Sequence, residues 1–295
     1  MNHSGAKSGQ ITAHLYTDPT CPFDYSAGPA LRTIEWRYRD QIDWQMVMIG
    51  LSEPGDPPKY EPGWLASHLT EFKNRYGMPF ASEPKIRTAT SSRACQAIIA
   101  ARLLQPGFEW RVHRTLQLLF FNTPLLIDDE SQLEAALSSV DGLAHKGVME
   151  ALDTPEVQDA YQRDRAETRT AAGGPTEFQG RAAGSGDETR YTAPSVVFSR
   201  GDTRLEAGGF QPVEAYDVII ANLGTDLNRS DPPEDPLEAL SFYPGGLSTQ
   251  ELAAIMTDRN GSADRAGTER KLVELQSEQK VKRIPMGNDA IWLFA

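Results

Sequence analysis

A short β-strand that ends in a turn and places a cysteine at the start of a helix is the feature that most constrains this chain. Residues 11–17 alternate apolar and polar side chains, the period of a half-buried strand, and Asp18-Pro19 interrupts the extended run. Cys21 follows the turn. Pro22 suits a first helical position, because the N–H that proline lacks would be unpaired there. The stretch predicts a strand, a turn and a helix with Cys21 at its amino-terminal end.

Cys21 at a helix start is expected to be a nucleophile. Unpaired backbone N–H groups and the positive end of the helix dipole favour thiolate over thiol, so we expect them to lower the pKa of Cys21. Asp24 lies three residues further on, and its negative charge would oppose the thiolate and raise that pKa. Asp24 is alternatively a general base, or only an acidic residue that suits a helix start.

The following 200 residues or so predict a mixed sheet interrupted by helices. Apolar residues recur at helical spacing over 26–38, and residues 42–51 form a nearly continuous apolar run, typical of a buried strand parallel to the first. Further elements are predicted as a helical insert over about 62–185, a hairpin of 195–199 and 203–207, and a closing helix over 212–223. The predicted fold class is α/β.

Composition divides the chain into a tail, a main domain, a linker and a second module. The predicted boundaries are a disordered tail at 1–10, the main domain at 11–227, a polar linker at 228–236 and a compact module at 237–295. In the second module the pattern predicts three helices and a hairpin, and Ser248-Thr-Gln-Glu251 has the form of a capping box. This order resembles a winged-helix domain.

The charge of the chain argues against several classes of partner. The formal net charge is −12, and both nucleic acid and anionic membranes present negative charge to a protein whose own field repels it.

The first ten residues lack the apolar run of a secretory signal, and no stretch approaches the roughly 18 to 20 apolar residues of a membrane span. Only two cysteines occur. We expect a cytoplasmic protein without a disulfide framework.

The second module leaves two interpretations open. Winged helices often bind nucleic acid through basic residues of the third helix and the hairpin, which here would be Arg265, Arg270, Lys271, Lys280, Lys282 and Arg283. From Pro232 onward, however, seven lysines and arginines stand against ten aspartates and glutamates. This acidic balance favours packing or homodimerisation over nucleic-acid binding.

Two short motifs carry a resemblance to a known family. Asp18-Pro-Thr-Cys-Pro-Phe-Asp24 follows a strand and opens a helix, and Thr192-Ala-Pro194 precedes an apolar strand. Over residues 11–224 the chain resembles the DsbA-like members of the thioredoxin superfamily. The resemblance implies a thioredoxin-like sheet with a helical insertion, and a cis-proline at Pro194 that faces Cys21. It also implies that Pro22, Ala193 and Pro194 contact a thiol cofactor or an extended substrate.

The chain departs from that family at the second cysteine of its Cys-x-x-Cys motif, which is Asp24 here. A dithiol enzyme releases its mixed disulfide with the second thiolate, so this chain lacks the local group for that step. Loss of one cysteine resembles the FrnE-like and 2-hydroxychromene-2-carboxylate isomerase-related branch, and kappa-class glutathione transferases. Those relatives commonly have serine where this chain has Cys21.

The resemblance implies a thiol-dependent enzyme with Cys21 and Asp24 as catalytic residues. The implied activities are monothiol oxidoreductase, thiol transferase or thiol-assisted isomerase, acting on a small substrate with a glutathione- or mycothiol-like thiol. Phe23, Tyr25 and Ser26 are candidate pocket residues, although Tyr25 equally suits the core and Ser26 the surface.

The sequence allows only less specific interpretations of the remaining candidate residues. Cys95 lies in an alanine-rich helical stripe and suits the core better than a resolving role. The histidines show no metal-ligand spacing, and His113 is interpreted as a packing residue. The alternative to an enzyme is a redox-inactive protein that binds a ligand or partner and signals through the second module.

Overall fold

The computed structural model describes residues 9–258 and 261–295 and contains three β-sheets. The strands are β1 (Ile11–Thr17), β2 (Ile42–Met48), β3 (Ala182–Ser185), β4 (Glu188–Tyr191), β5 (Ser195–Arg200), β6 (Thr203–Ala207), β7 (Leu247–Ser248), β8 (Val281–Met286) and β9 (Asp289–Phe294). The central sheet has the order β2-β1-β5-β6. β1 runs parallel to β2, with Ile11 opposite Ile42, and antiparallel to β5, with Leu15 opposite Val196. The predicted mixed sheet is confirmed.

Helices cover both faces of this sheet and form a large insertion between β2 and β3. They are α1 (Pro22–Ser26), α2 (Gly28–Tyr38), α3 (Pro62–Tyr76), α4 (Ser92–Leu104), α5 (Phe108–Asn122), α6 (Glu130–Ser138), α7 (His145–Ala151), α8 (Pro155–Thr168), α9 (Pro175–Phe178), α10 (Val213–Leu223), α11 (Pro236–Phe242), α12 (Thr249–Ile255) and α13 (Arg265–Ser277). A short 3-10 turn, Arg39–Gln41, links α2 to β2.

The helix after Cys21 is divided into α1 and α2 at Ala27, which caps both. Pro29 supplies the reason, because proline has no N–H to donate to the preceding turn, so the helical hydrogen bonding is interrupted there. The hairpin β3-β4 begins in the last residues of the predicted helical insert, where the sequence analysis predicted no strand. Gly186 has φ +63°, which suits the tight turn of this hairpin, and backbone pairing from Ala182 to Tyr191 forms the ladder. The short helices α7 and α9 were also not predicted.

The two faces of the central sheet have different partners. On one face Ile11, Ala13 and Leu15 pack with α2 and α10, an arrangement set by the alternation of β1. On the other face Tyr16 belongs to a buried cluster that also contains Cys21. Cys21 therefore packs directly against the central sheet.

The carboxy-terminal residues form helices and a small sheet of order β7-β9-β8. The predicted capping box is confirmed, because Ser248 Oγ accepts from the Glu251 N–H while the Glu251 carboxylate accepts from the Ser248 N–H. Trp36 of α2 packs into the core of this region and donates its indole N–H to the Asp231 carbonyl at 2.8 Å. The winged-helix resemblance and the domain boundaries stay predictions.

Candidate active site

Cys21 is the N-cap residue of α1. Its N–H donates to the Asp18 carbonyl at 3.1 Å, and its own carbonyl accepts from the Tyr25 N–H at 3.0 Å, so the helical bonding begins here. Pro22 occupies the first turn, as predicted. Cys21 is only 8% exposed, so it lies almost entirely within the protein.

Cys21 faces the loop that leads into β5. The Ala193–Pro194 peptide bond is cis, and Cys21 Sγ donates a hydrogen bond to the Ala193 carbonyl oxygen at 3.2 Å. β5 holds this loop in place because it pairs with β1, with Ser195 opposite Tyr16. The structure thus brings together predicted site residues that are 172 positions apart in the sequence.

The Cys21 thiol is less acidic than its position at a helix start predicts. Burial raises its pKa to about 12, and the Asp24 carboxyl raises it as well. Backbone N–H groups of Asp24 and Phe23 act in the opposite direction but are outweighed. The prediction of a lowered pKa is therefore wrong, because removing water from a thiolate costs more than one short helix start returns. At neutral pH the group is a thiol.

Asp24 is buried in a network between β1 and α5. Its Oδ2 accepts from Thr17 Oγ1 at 2.6 Å and from Gln117 Nε2 at 2.5 Å, and lies 3.6 Å from His113 Nε2. Thr17 Oγ1 also lies 2.9 Å from His113 Nε2. Since the Thr17 hydroxyl has one hydrogen and donates it to Asp24, His113 donates from Nε2 to Thr17. His113 is thus part of the site and not only a packing residue.

The protonation of this network is set by burial. Burial raises the pKa of Asp24 to about 7, although the hydrogen bonds from Thr17 and Gln117 act to lower it. The pKa of His113 is lowered to about 3, mainly by burial and also by the positive charges of Arg32 and Arg114. Asp24 therefore exchanges a proton near neutral pH, while His113 stays neutral. Because the Asp24 charge opposes the Cys21 thiolate, protonation of Asp24 favours thiolate formation.

The candidate pocket residues have three different environments. Phe23 is 44% exposed beside Cys21 and joins an aromatic cluster formed with Phe72, Tyr76 and Phe210. Tyr25 instead lies in the core, donates its hydroxyl to the Pro79 carbonyl at 2.9 Å and stacks on Phe121. Ser26 is buried, and its Oγ has no hydrogen-bond partner among the described residues.

Asp18 connects the active-site turn to the second cysteine. Its Oδ1 accepts from the Thr20 N–H and hydroxyl, and its Oδ2 accepts from the Leu51 N–H at 2.8 Å. Cys95 Sγ donates to the same Oδ2 at 3.7 Å. Cys95 is fully buried in α4, and both cysteines are free thiols. This placement agrees with the predicted core role of Cys95.

Arg190 of β4 lies within electrostatic reach of Cys21, and no sequence pattern predicts this position. Arg190 is partly buried, which lowers the pKa of its guanidinium, while the negative charge of Asp18 stabilises the guanidinium and a Cys21 thiolate would stabilise it as well. Residues 182–191 show neither strand alternation nor a known motif, so no local pattern placed this arginine beside Cys21.

Within residues 9–258 and 261–295, no group of three His, Cys, Asp or Glu side chains is arranged to hold a metal ion. In the same residues, no helix combines the length and apolar character that crossing a membrane requires.

A cysteine at the start of a helix after β1, facing a cis-proline loop at the start of β5, defines a thioredoxin-fold thiol protein. The chain belongs to the DSBA-like thioredoxin domain family, whose profile matches residues 12–189. No curated protein matches the sequence significantly.

Solved structures share this fold at low sequence identity. A Nitrosomonas europaea protein assigned as a protein disulfide isomerase is 16% identical, with a TM-score of 0.56 over 73% of this chain and 100% of its own. The cytosolic disulfide reductase DsbM from Pseudomonas aeruginosa, crystallised with GSH, is 16% identical, with a TM-score of 0.52 over 72% and 98%. A Streptomyces coelicolor protein assigned as a DsbA oxidoreductase is 15% identical, with a TM-score of 0.53 over 76% and 100%. These likenesses concern the fold.

Proposed function

We propose that this protein is a thiol-dependent enzyme that uses Cys21 as its single active-site sulfur and acts on a small substrate in the cytoplasm. The observation that carries the proposal is the contact between Cys21 Sγ and the Ala193 carbonyl, with Asp24 where a second cysteine would stand. One sulfur restricts the chemistry to monothiol exchange, thiol transfer or thiol-assisted isomerisation.

In monothiol exchange the Cys21 thiolate attacks one sulfur of a disulfide. The substrate S–S bond breaks, a mixed disulfide forms on Cys21, and the departing thiolate takes a proton from water. A second small thiol then attacks the mixed disulfide as its thiolate, giving a new small-molecule disulfide and returning Cys21 as thiolate. No second protein sulfur is needed, which fits Asp24 at that position.

Asp24 controls when Cys21 ionises. Its raised pKa allows it to be neutral near pH 7, and a neutral Asp24 does not repel the thiolate. Thr17 and Gln117 hold the carboxyl in one orientation while its proton comes and goes. We propose Asp24 as a residue that tunes the nucleophile rather than as a ligand for substrate.

A glutathione- or mycothiol-like thiol is the proposed cofactor. The DsbM structure contains GSH, and that protein shares this fold. In the present chain the Ala193 carbonyl and the exposed Phe23 ring border the thiol, and offer a polar and an apolar contact to a small molecule. Pro22 and Pro194 complete the proposed cofactor-binding surface.

The experiment is incubation of the purified protein with glutathione disulfide between pH 7 and 9, followed by peptide mass spectrometry. We expect one glutathione adduct on Cys21, formed faster at higher pH and reversed by added glutathione. Cys21→Ser should abolish the adduct, and Cys95→Ser is the matched control that should keep it. Absence of an adduct at every pH would contradict the proposal.

The burial of Cys21 favours a second candidate function, a redox-inactive protein that binds a small ligand. A thiol that is 8% exposed with a pKa near 12 reacts slowly without substrate. If Cys21→Ser and the wild type bind glutathione equally and neither exchanges disulfides, this second function is the correct one.

A further inference from the structure

Arg190 lies in β4, four residues before the cis-proline of the active-site loop. Its Nη1 donates to the Tyr191 carbonyl at 2.9 Å, and its charge is within electrostatic reach of Cys21 and Asp18. The chain immediately after Arg190 is the segment that carries the Ala193 carbonyl to the thiol. A group held by this guanidinium would therefore lie close to Cys21.

The guanidinium lacks the partner that other buried or partly buried arginines of this protein have. Arg37, Arg102 and Arg114 each form an ion pair, with Asp217, Asp164 and Glu251 respectively. Among residues 9–258 and 261–295, no carboxylate lies within 4 Å of Arg190, and the Tyr191 carbonyl is its one hydrogen-bond acceptor. A partly buried charge without a partner costs free energy. The Arg190 guanidinium therefore has no direct ionic partner among the described residues.

Asp18 does not serve as that missing partner. Both of its carboxylate oxygens are used locally, Oδ1 by Thr20 and Oδ2 by the Leu51 N–H. Its charge stabilises the guanidinium from a distance without a direct bond. The remaining N–H groups of Arg190 are consequently free to bind an anion.

A second guanidinium strengthens the local positive field. Burial lowers the pKa of Arg169, and the positive charges of Arg165 and Arg190 lower it as well, so the Arg169 guanidinium is within electrostatic reach of Arg190. The nearest carboxylate to Arg169, that of Glu188, is 3.9 Å away and largely exposed. Two adjacent arginines in a chain of net charge −12 concentrate positive potential at one point.

We infer that Arg190 binds the carboxylate of a small anionic thiol or disulfide whose sulfur reacts at Cys21, with Arg169 adding to the attraction. The inference rests on the proposed function. Of the glutathione-like and mycothiol-like thiols proposed above, it selects the glutathione-like thiol, because that class carries a carboxylate. Guanidinium and carboxylate match as a two-point hydrogen-bonded pair, which fixes the ligand as well as attracting it. The bond changes are those of the exchange above: the substrate S–S bond breaks, the Cys21–S bond forms, and the leaving thiolate is protonated by water.

The test compares alkylation of Cys21 by iodoacetate, an anion, with alkylation by iodoacetamide, its neutral analogue. In both reactions the thiolate displaces iodide, so any change in the thiol pKa cancels in the ratio of the two rates. Peptide mass spectrometry follows Cys21 alone. We expect Arg190→Gln to lower the iodoacetate-to-iodoacetamide ratio about tenfold, the loss of one charge-assisted pair.

Two further variants complete the design. Arg163→Gln removes the same charge from an exposed position of α8 and should leave the ratio unchanged. Arg190→Lys keeps the charge but loses the two-point geometry, and should lower the iodoacetate-to-iodoacetamide ratio about threefold. If Arg190→Gln does not fold, the ratio measured for Arg190→Lys tests the inference. An unchanged ratio in the folded Arg190 variants would overturn the inference.

A separate measurement distinguishes failure of this inference from failure of the proposed function. If Cys21 reacts with neither reagent, the proposed chemistry fails. Calorimetry of reduced glutathione binding to Cys21→Ser, with and without Arg190→Gln, then decides the inference. Binding weakened about tenfold by Arg190→Gln supports it. Equal binding, or none, overturns it.

Discussion

Cys21 Sγ donates a hydrogen bond to the Ala193 carbonyl oxygen at 3.2 Å, so the nucleophile and the cis-proline loop are in contact. This bond uses the thiol hydrogen and favours the protonated form. Deprotonation of Cys21 frees the Ala193 carbonyl for another donor. Ionisation of the nucleophile and access to the loop are therefore coupled in this site.

Asp24→Asn should make Cys21 more reactive above neutral pH. The charged carboxyl raises the thiol pKa, and the amide removes that charge, so we expect iodoacetamide to react about threefold to tenfold faster above pH 7. Below about pH 6 the rates should converge, because Asp24 is then protonated in the wild type. Asp187→Asn, at an exposed position, is the control. Parallel pH profiles would contradict this role of Asp24.

The same substitution should change the pH dependence of stability. The pKa of Asp24 is raised to about 7 in the folded protein and is about 4 in the unfolded chain, so wild-type stability from this group is lost as pH rises between those values. Asp24→Asn should gain free energy of unfolding relative to wild type across that range, by up to about 1.4 kcal/mol per pH unit. Urea titrations at pH 4.5, 5.5 and 7 measure this. A constant difference would show that Asp24 titrates normally.

His113→Gln should have the opposite dependence. The pKa of His113 is lowered to about 3 on folding, so protonation of the unfolded chain destabilises the wild type as pH falls from about 6.5. The variant should become more stable relative to wild type as pH decreases to about 4, and lose a smaller, constant amount from its missing bond to Thr17. The same urea series tests it. A stability difference that stays constant with pH, or a variant that loses stability relative to wild type on acidification, would contradict the neutral assignment of His113.

Glu251→Gln should destabilise the carboxy-terminal region. Glu251 is buried and forms a two-point ion pair with Arg114 of α5, at 2.7 and 2.8 Å. Breaking a buried pair leaves an uncompensated charge and costs about 3–5 kcal/mol. Glu269→Gln, which removes an exposed partner of Arg265, should cost about 0–1 kcal/mol. Chemical denaturation of both variants measures the contrast, and equal losses would show that burial of the Arg114 pair has little effect.

The sequence determined the elements whose signals are local. The alternation of residues 11–17, the turn and Pro22 correctly predicted β1 and the start of α1, because pleat period and proline geometry act over a few residues. The capping box at Ser248 was predicted for the same reason. The position of Pro194 opposite Cys21 followed only from family resemblance, since no local rule joins residues so far apart.

Only the tertiary structure decided the chemistry of the thiol. Helix geometry at Cys21 predicts a lowered pKa, but burial beside Asp24 reverses the direction, and burial depends on how the sheet, α1 and the loop pack together. His113 and Arg190 joined the site for a similar reason. The sequence around His113 predicts a helix and the sequence around Arg190 predicts no regular element, while the groups that give both residues a role come from distant segments. Electrostatics in a protein depends on distance and solvent exposure, and both are properties of the folded chain.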